Sequence, residues 1–187
     1  MTPVLDHPEV RECLMPISVL FYHEMGRLGM IGEDVELLDG CIVKKMSKSP
    51  LHSAVTRRCH HALLAALGQG MFVIKEDPLT VARSEPEPDL AVIDGDEEDF
   101  LERHPATARL IIEVSVSTLQ KDRSKAAIYA EAAVGEYWLI EPEAGKITIY
   151  RNPQGDVYQQ TVAYTGDAVV FSECLPGFSL DLANLFR

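Results

Sequence analysis

Positive charge is what this chain has least of. Its 17 lysines and arginines are set against 29 aspartates and glutamates, a formal charge of −12 over 187 residues. Nucleic-acid binding draws much of its affinity from neutralising phosphates, so this balance argues against a broad basic binding face, though not against a local one. Long apolar runs are missing too. None approaches the roughly 18 residues of a membrane span, and no membrane association is expected. The opening "MTPVLDHPEVRE" lacks the basic-then-apolar order of a secretory signal. The four cysteines, at 13, 41, 59 and 174, contain no C-x-x-C pair and no zinc-ribbon spacing. Reduced thiols in a cytoplasmic protein are the expectation. With few exposed aromatics to stack on bases and an acidic surface, sequence-specific reading of DNA is not expected.

What is present is an ordinary globular composition, 47% hydrophobic and 25% charged. The length suggests one domain over 1–187, with residues 1–15 as an N-terminal extension. Residues 16–28 read as a short helix. "VELLDGCIVKKM" (35–46) is two apolar runs about Asp39-Gly40, a strong hairpin signal. From Pro50 to Leu67, Leu51, Val55, Cys59, Ala62, Leu63 and Ala66 recur at helical spacing, with Gly68 and Gly70 as a stop. "MFVIKE", "LTVAR" and "PDLAVI" are candidate strands. The acidic segment 94–107 has Asp99 and Pro105 where a calcium loop wants Gly and Glu, so it reads as a solvated loop. A helix from Lys121 ending at Gly135 follows the strand at 109–116, then a hairpin about "EAG", further β segments at 156–164 and 168–171, and a short last helix. This order indicates a mixed α/β domain with a central sheet rather than a doubly wound repeat.

One residue breaks the pattern. Glu113 sits inside "RLIIEVSVST", in a run that reads as a strand buried on both faces. Carboxylates are almost never buried unless paired or bound to a metal. Asp89 opens "PDLAVI", 24 residues earlier. If the two strands are neighbours, the carboxylates lie side by side and form a hard-oxygen site suited to magnesium. On the next helix Asp122, Lys125 and Tyr129 are spaced i, i+3, i+7 and share a face.

These residues resemble the PD-(D/E)XK nucleases, in which an aspartate after a proline is followed by an acidic residue, one spacer and a lysine. Here Pro88-Asp89 and Glu113-Val114-Ser115 stand in those places, with Ser115 where the lysine is usual. The longer match is to one branch, the Uma2 restriction endonuclease family, whose lysine has moved to the following helix. The segments "VELLDG", "SPLHS", "PDLAVI", "IIEVSVST", "KDRSKAAIYAEAAVGEYWLIEP" and "ITIYR" carry this resemblance over roughly 16–185. It implies a restriction-endonuclease-like central sheet flanked by helices, with extra C-terminal β-hairpins. It also implies hydrolysis of phosphodiester bonds of nucleic acid, with DNA as the first expectation, using Mg²⁺ or Mn²⁺. Asp89, Glu113 and the backbone carbonyl of Val114 would hold the metal, and Lys125 would complete the catalytic set. Glu36 and His52 match the same pattern as supporting groups.

Plainer roles stand beside these. Asp89 after Pro88 is also a turn residue, Glu113 could form a structural ion pair with Arg109 or Lys125, and Lys125 alone is usually a surface residue. Glu36 alone reads as hairpin surface and His52 as a helix-start residue. The basic clusters "KKMSK" and "KDRSK" read as solvated faces, and Tyr129 and Trp138 as packing groups. A competing function is an interaction or assembly module that keeps the fold with little catalysis. A homodimer is expected, with the C-terminal strands supplying an edge.

Overall fold

The computed structural model describes residues 7–187. The first six residues, where the N-terminal extension begins, lie outside the described residues. A one-turn helix, α1 (Pro8–Arg11), precedes α2 (Val19–Arg27), which starts where Ser18 accepts the Phe21 amide at 3.2 Å. The hairpin of β1 (Val35–Leu38) and β2 (Cys41–Lys44) turns at Asp39 and Gly40, with φ of 48° and 73°. Two left-handed residues in succession are what a two-residue hairpin needs. At Gly40 a side chain would also run into Pro16.

α3 (Pro50–Ala66) starts at the Ser49 cap with proline in its first turn. It buries Val55, Cys59 and Leu63, as their spacing predicts, but leaves Leu51 exposed. β3 (Met71–Ile74), β4 (Leu90–Asp94), β5 (Leu110–Val114), α4 (Leu119–Glu131), β6 (Glu136–Glu141), β7 (Lys146–Gln154) and β8 (Val157–Thr165) follow. Six of these strands form one mixed sheet in the order β3-β4-β5-β6-β7-β8. Only β5–β6 is parallel, as expected for strands joined by a helical crossover. β9 (Val169–Phe171) and β10 (Ser179–Asp181) pair separately, and α5 (Leu182–Leu185) closes the chain.

Two apolar layers cover the sheet. One packs α3 and the C-terminal segment against Leu90, Ile112, Trp138 and Ile149. The other packs α4 against Ile93, Ile111, Tyr137 and Leu139. Because strand side chains alternate between faces, Ile112 looks toward α3, whereas Ile111 and Glu113 look toward α4.

Two expectations fail. "LTVAR" forms no strand: Leu79 and Thr80 donate to Pro86 and Pro105, and Ala82 has φ 45°. With Pro78, Pro86 and Pro88 in the same stretch, too few amides are free for a ladder. The helix after β5 ends at Glu131 rather than at Gly135, with Ala133 taking the left-handed position at φ 54°. Gly135 serves close packing instead, since a Cβ there would lie 2.7 Å from the Arg109 carbonyl.

Candidate active site

β4 and β5 are antiparallel with Leu90 opposite Ile112, and one further step of that register sets Asp89 level with Glu113. Pro88 ends the irregular segment just before Asp89. Asp89 Oδ2 accepts the Val114 amide at 2.7 Å and lies 3.0 Å from His52 Nε2. The helix start fixes His52 in place, because Ser49 Oγ takes the His52 amide at 3.1 Å and so sets the first turn of α3.

Glu113 is approached from α4. Lys125 Nζ and Tyr129 OH both donate to its Oε1, each at 2.8 Å. Lys125 also lies 2.9 Å from Glu36 Oε2, and Lys121 Nζ is 2.8 Å from Glu36 Oε1. A buried lysine on the crossover helix thus joins a glutamate of the hairpin to a glutamate of the sheet. Of the two ion-pair partners open from the sequence, Lys125 is the one present; Arg109 pairs with Asp94 at 2.8 Å.

Burial pushes the Glu113 carboxyl up to about 7, and the charges of Asp89 and Asp122 add to the rise against the pull of Lys125. Burial works against the charge on Lys125, but Glu113 and Glu36 outweigh it and hold the ammonium above its ordinary pKa. Glu36 is also buried, yet Lys125 and Lys121 bring its carboxyl below the usual range. For His52, burial is overcome by Asp89, so the imidazole titrates above its ordinary value. Its Nδ1 is buried with no hydrogen-bond partner among the described residues.

All of these groups, with Val114, line one cleft of about 100 Å³. Among the described residues no three His, Cys, Asp or Glu side chains are grouped as a metal cage. The donor chemistry nevertheless fits a hard cation that keeps most of its waters. Each carboxylate commits one oxygen to protein donors, while Asp89 Oδ1 and Glu113 Oε2 accept no hydrogen bond from the described residues. Magnesium is commonly held by one or two carboxylates plus water.

The structure thus brings together all five side chains singled out from the sequence: Glu36, His52, Asp89, Glu113 and Lys125. Glu36, which alone read as hairpin surface, is 1% exposed, and Lys125 is 2% exposed. Sequence reasoning missed Lys121 as a partner of Glu36, although it opens "KDRSK" one turn before Lys125. It also missed Thr118, which hydrogen-bonds Asp122 at the start of α4. Tyr129 is a hydrogen-bonded packing group, as expected, and its acceptor is Glu113 itself.

The Uma2 family, described as "Putative restriction endonuclease", matches residues 24–183. No curated protein matches the chain. Among solved structures, a "putative nuclease belonging to DUF820" from Anabaena variabilis superposes with a TM-score of 0.73 at 19% identity, covering 87% of this chain and 96% of that one. The type IIG restriction endonuclease BpuSI matches with a TM-score of 0.38 at 20% identity, over 59% of this chain and 12% of that one.

Proposed function

This chain belongs to the Uma2 family, and from that premise we propose that it is a metal-dependent endonuclease that hydrolyses phosphodiester bonds of nucleic acid, DNA first. One observation carries the reading: Asp89 and Glu113 stand level on adjacent strands beside one cleft, each with a carboxylate oxygen left without a donor among the described residues. Asp89 and Glu113, with the Val114 carbonyl, would hold Mg²⁺ or Mn²⁺. Such an ion, when bound, polarises a phosphate and lowers the pKa of a coordinated water.

The chain's own residues do the rest. Lys125, kept charged by Glu36 and Glu113, orients the attacking water or stabilises the negative charge that develops on the phosphorus oxygens. Tyr129 fixes the Glu113 carboxylate so that its free oxygen keeps one direction. His52 holds Asp89 from the other side and carries an Nδ1 with no partner among the described residues.

A second reading has an observation of its own. Lys125 and Tyr129 already compensate Glu113 without any ion, which suits a catalytically weak interaction module. Incubating the protein with plasmid and with single-stranded substrates, in magnesium or manganese, separates the two. Cleavage lost in EDTA supports the nuclease. No cleavage, together with no metal-induced rise in melting temperature, supports the module. We further propose a cytoplasmic homodimer paired through β8, the C-terminal edge of the main sheet; a monomer by light scattering overturns the dimer. No helix among the described residues is long and apolar enough to cross a membrane.

A further inference from the structure

The basic tract "KKMSK" (44–48) has no part in the chemistry proposed above, yet it does not face bulk solvent alone. Residues 45–49 form a strap from β2 to the Ser49 cap of α3, and all five line the cleft. Lys45 Nζ lies 2.7 Å from Glu87 Oε2, and Lys48 pairs with Glu76. The four side chains are partly exposed, and all four line the cleft. Glu76 holds φ 60°, a left-handed conformation that costs a glutamate backbone energy. Its amide donates to the Pro88 carbonyl at 3.0 Å, immediately before Asp89, which ties this strained residue to the floor of the site.

Ion pairs this exposed add little stability, so folding alone does not account for two of them beside one cleft. A carboxylate and a phosphodiester each offer a lysine a monoanionic pair of oxygens, so one can replace the other. We propose that Lys45 and Lys48 grip successive phosphates of a nucleic-acid strand, and that Glu87 and Glu76 occupy the phosphate positions while the cleft is empty. The proposal rests on the nucleic-acid reading of the cleft. It explains how a chain of charge −12 can present a local cationic grip. The lysines are quenched internally, and only a polyanion able to displace both carboxylates gains both contacts.

The test is fluorescence polarisation of labelled, short single-stranded DNA and of RNA of the same sequence, titrated with the full chain in EDTA at several salt concentrations. E76Q/E87Q should bind about three- to thirtyfold more tightly than the parent, the range expected from freeing two surface ion pairs. K45A/K48A should bind at least about tenfold more weakly and lose about 1.4 from the slope of log affinity against log salt, the share of two phosphate contacts on a single strand. K45R/K48R should keep the parental slope, which a merely structural strap would not require. The strand bound more tightly identifies the source of the phosphates. Parental affinity in E76Q/E87Q, an unchanged slope in K45A/K48A, or no binding by either parent or E76Q/E87Q at the lowest salt overturns the grip. Cleavage by the parent with unchanged binding in E76Q/E87Q removes the grip and leaves the nuclease. The expected binding changes without cleavage in any metal do the reverse.

Discussion

Two buried glutamates lie at opposite ends of the β5–β6 pair, and they are treated differently. Glu136, at the start of β6, has both oxygens filled: Arg151 Nε at 2.7 Å and the Glu173 amide at 2.8 Å on one, Trp138 Nε1 and Ser172 Oγ at 2.8 Å on the other. Burial would raise its pKa, but these donors, the Glu173 amide foremost, bring it below the ordinary range. Glu113, near the end of β5, has two donors on one oxygen and none among the described residues on the other, and its pKa rises to about 7. A carboxylate buried for structure is saturated with donors. One that stays half-coordinated keeps a valence for something else, and that contrast separates the two sites more sharply than burial does.

The largest effect that would break this contrast is on activity. Glu113→Gln should reduce magnesium-dependent cleavage to background while its melting temperature in EDTA stays at or slightly above the parent's, because a charge that burial disfavours, with Asp89 and Asp122 adding to the penalty, has been removed. If the variant unfolds in EDTA and magnesium alike, Glu113 is as structural as Glu136. Glu136→Ala comes next. It strands Arg151, Trp138 and Ser172 and should cost about 3–5 kcal/mol, the same with and without metal, measured by chemical denaturation. A metal-dependent loss there would erase the distinction.

The smallest effect is in the pH profile of stability in EDTA. Glu113 holds its proton more tightly when folded (about 7) than in its ordinary state at 4.5. Its contribution is therefore complete below about 4.5 and is lost as pH rises through about 7. His52, also raised, loses its contribution in the same direction above 6.5. Glu136 is lowered, so its contribution is present above 4.5 and lost as pH falls through its folded pKa. Melting temperature should thus fall on both sides of a mildly acidic optimum. Glu113→Gln should make the alkaline limb shallower, leaving the His52 share, and should leave the acid limb standing. A parental profile that rises steadily from pH 5 to pH 8 contradicts the assignment.

Much of this was legible in the residue order because its causes are local. Asp39-Gly40 announces a hairpin by dihedral preference, the Val55–Cys59–Leu63 spacing announces a buried helix face, and the apolar run around Ile112 announces a central strand. The carboxylate placement also followed, since antiparallel neighbours bring Asp89 and Glu113 level. What stayed hidden depends on approach in space. Nothing local brings Glu36 to Lys121, 85 positions away, or turns Lys45 and Lys48 onto Glu87 and Glu76. The proline-rich stretch before Asp89 misled for the opposite reason. "LTVAR" has the composition of a strand, and only the loss of amides to turns and prolines denies it a ladder.

The contrast between the two ends of the sheet also has an optical consequence. The single tryptophan, Trp138, donates to Glu136 and packs against Phe178 at 5.2 Å between ring centroids. At the other end, Tyr129 donates to Glu113 and meets Tyr137 edge-on at 5.0 Å, with Tyr137 stacked in turn on Tyr150. Each glutamate therefore has its own native chromophore. Indole emission reports on the saturated end, and tyrosine absorbance, to which Tyr129 contributes as one of six tyrosines, includes the end with the open valence. A chain carrying no label can show, in one titration, whether loading the cleft is felt only where it occurs or all the way along the β5–β6 pair.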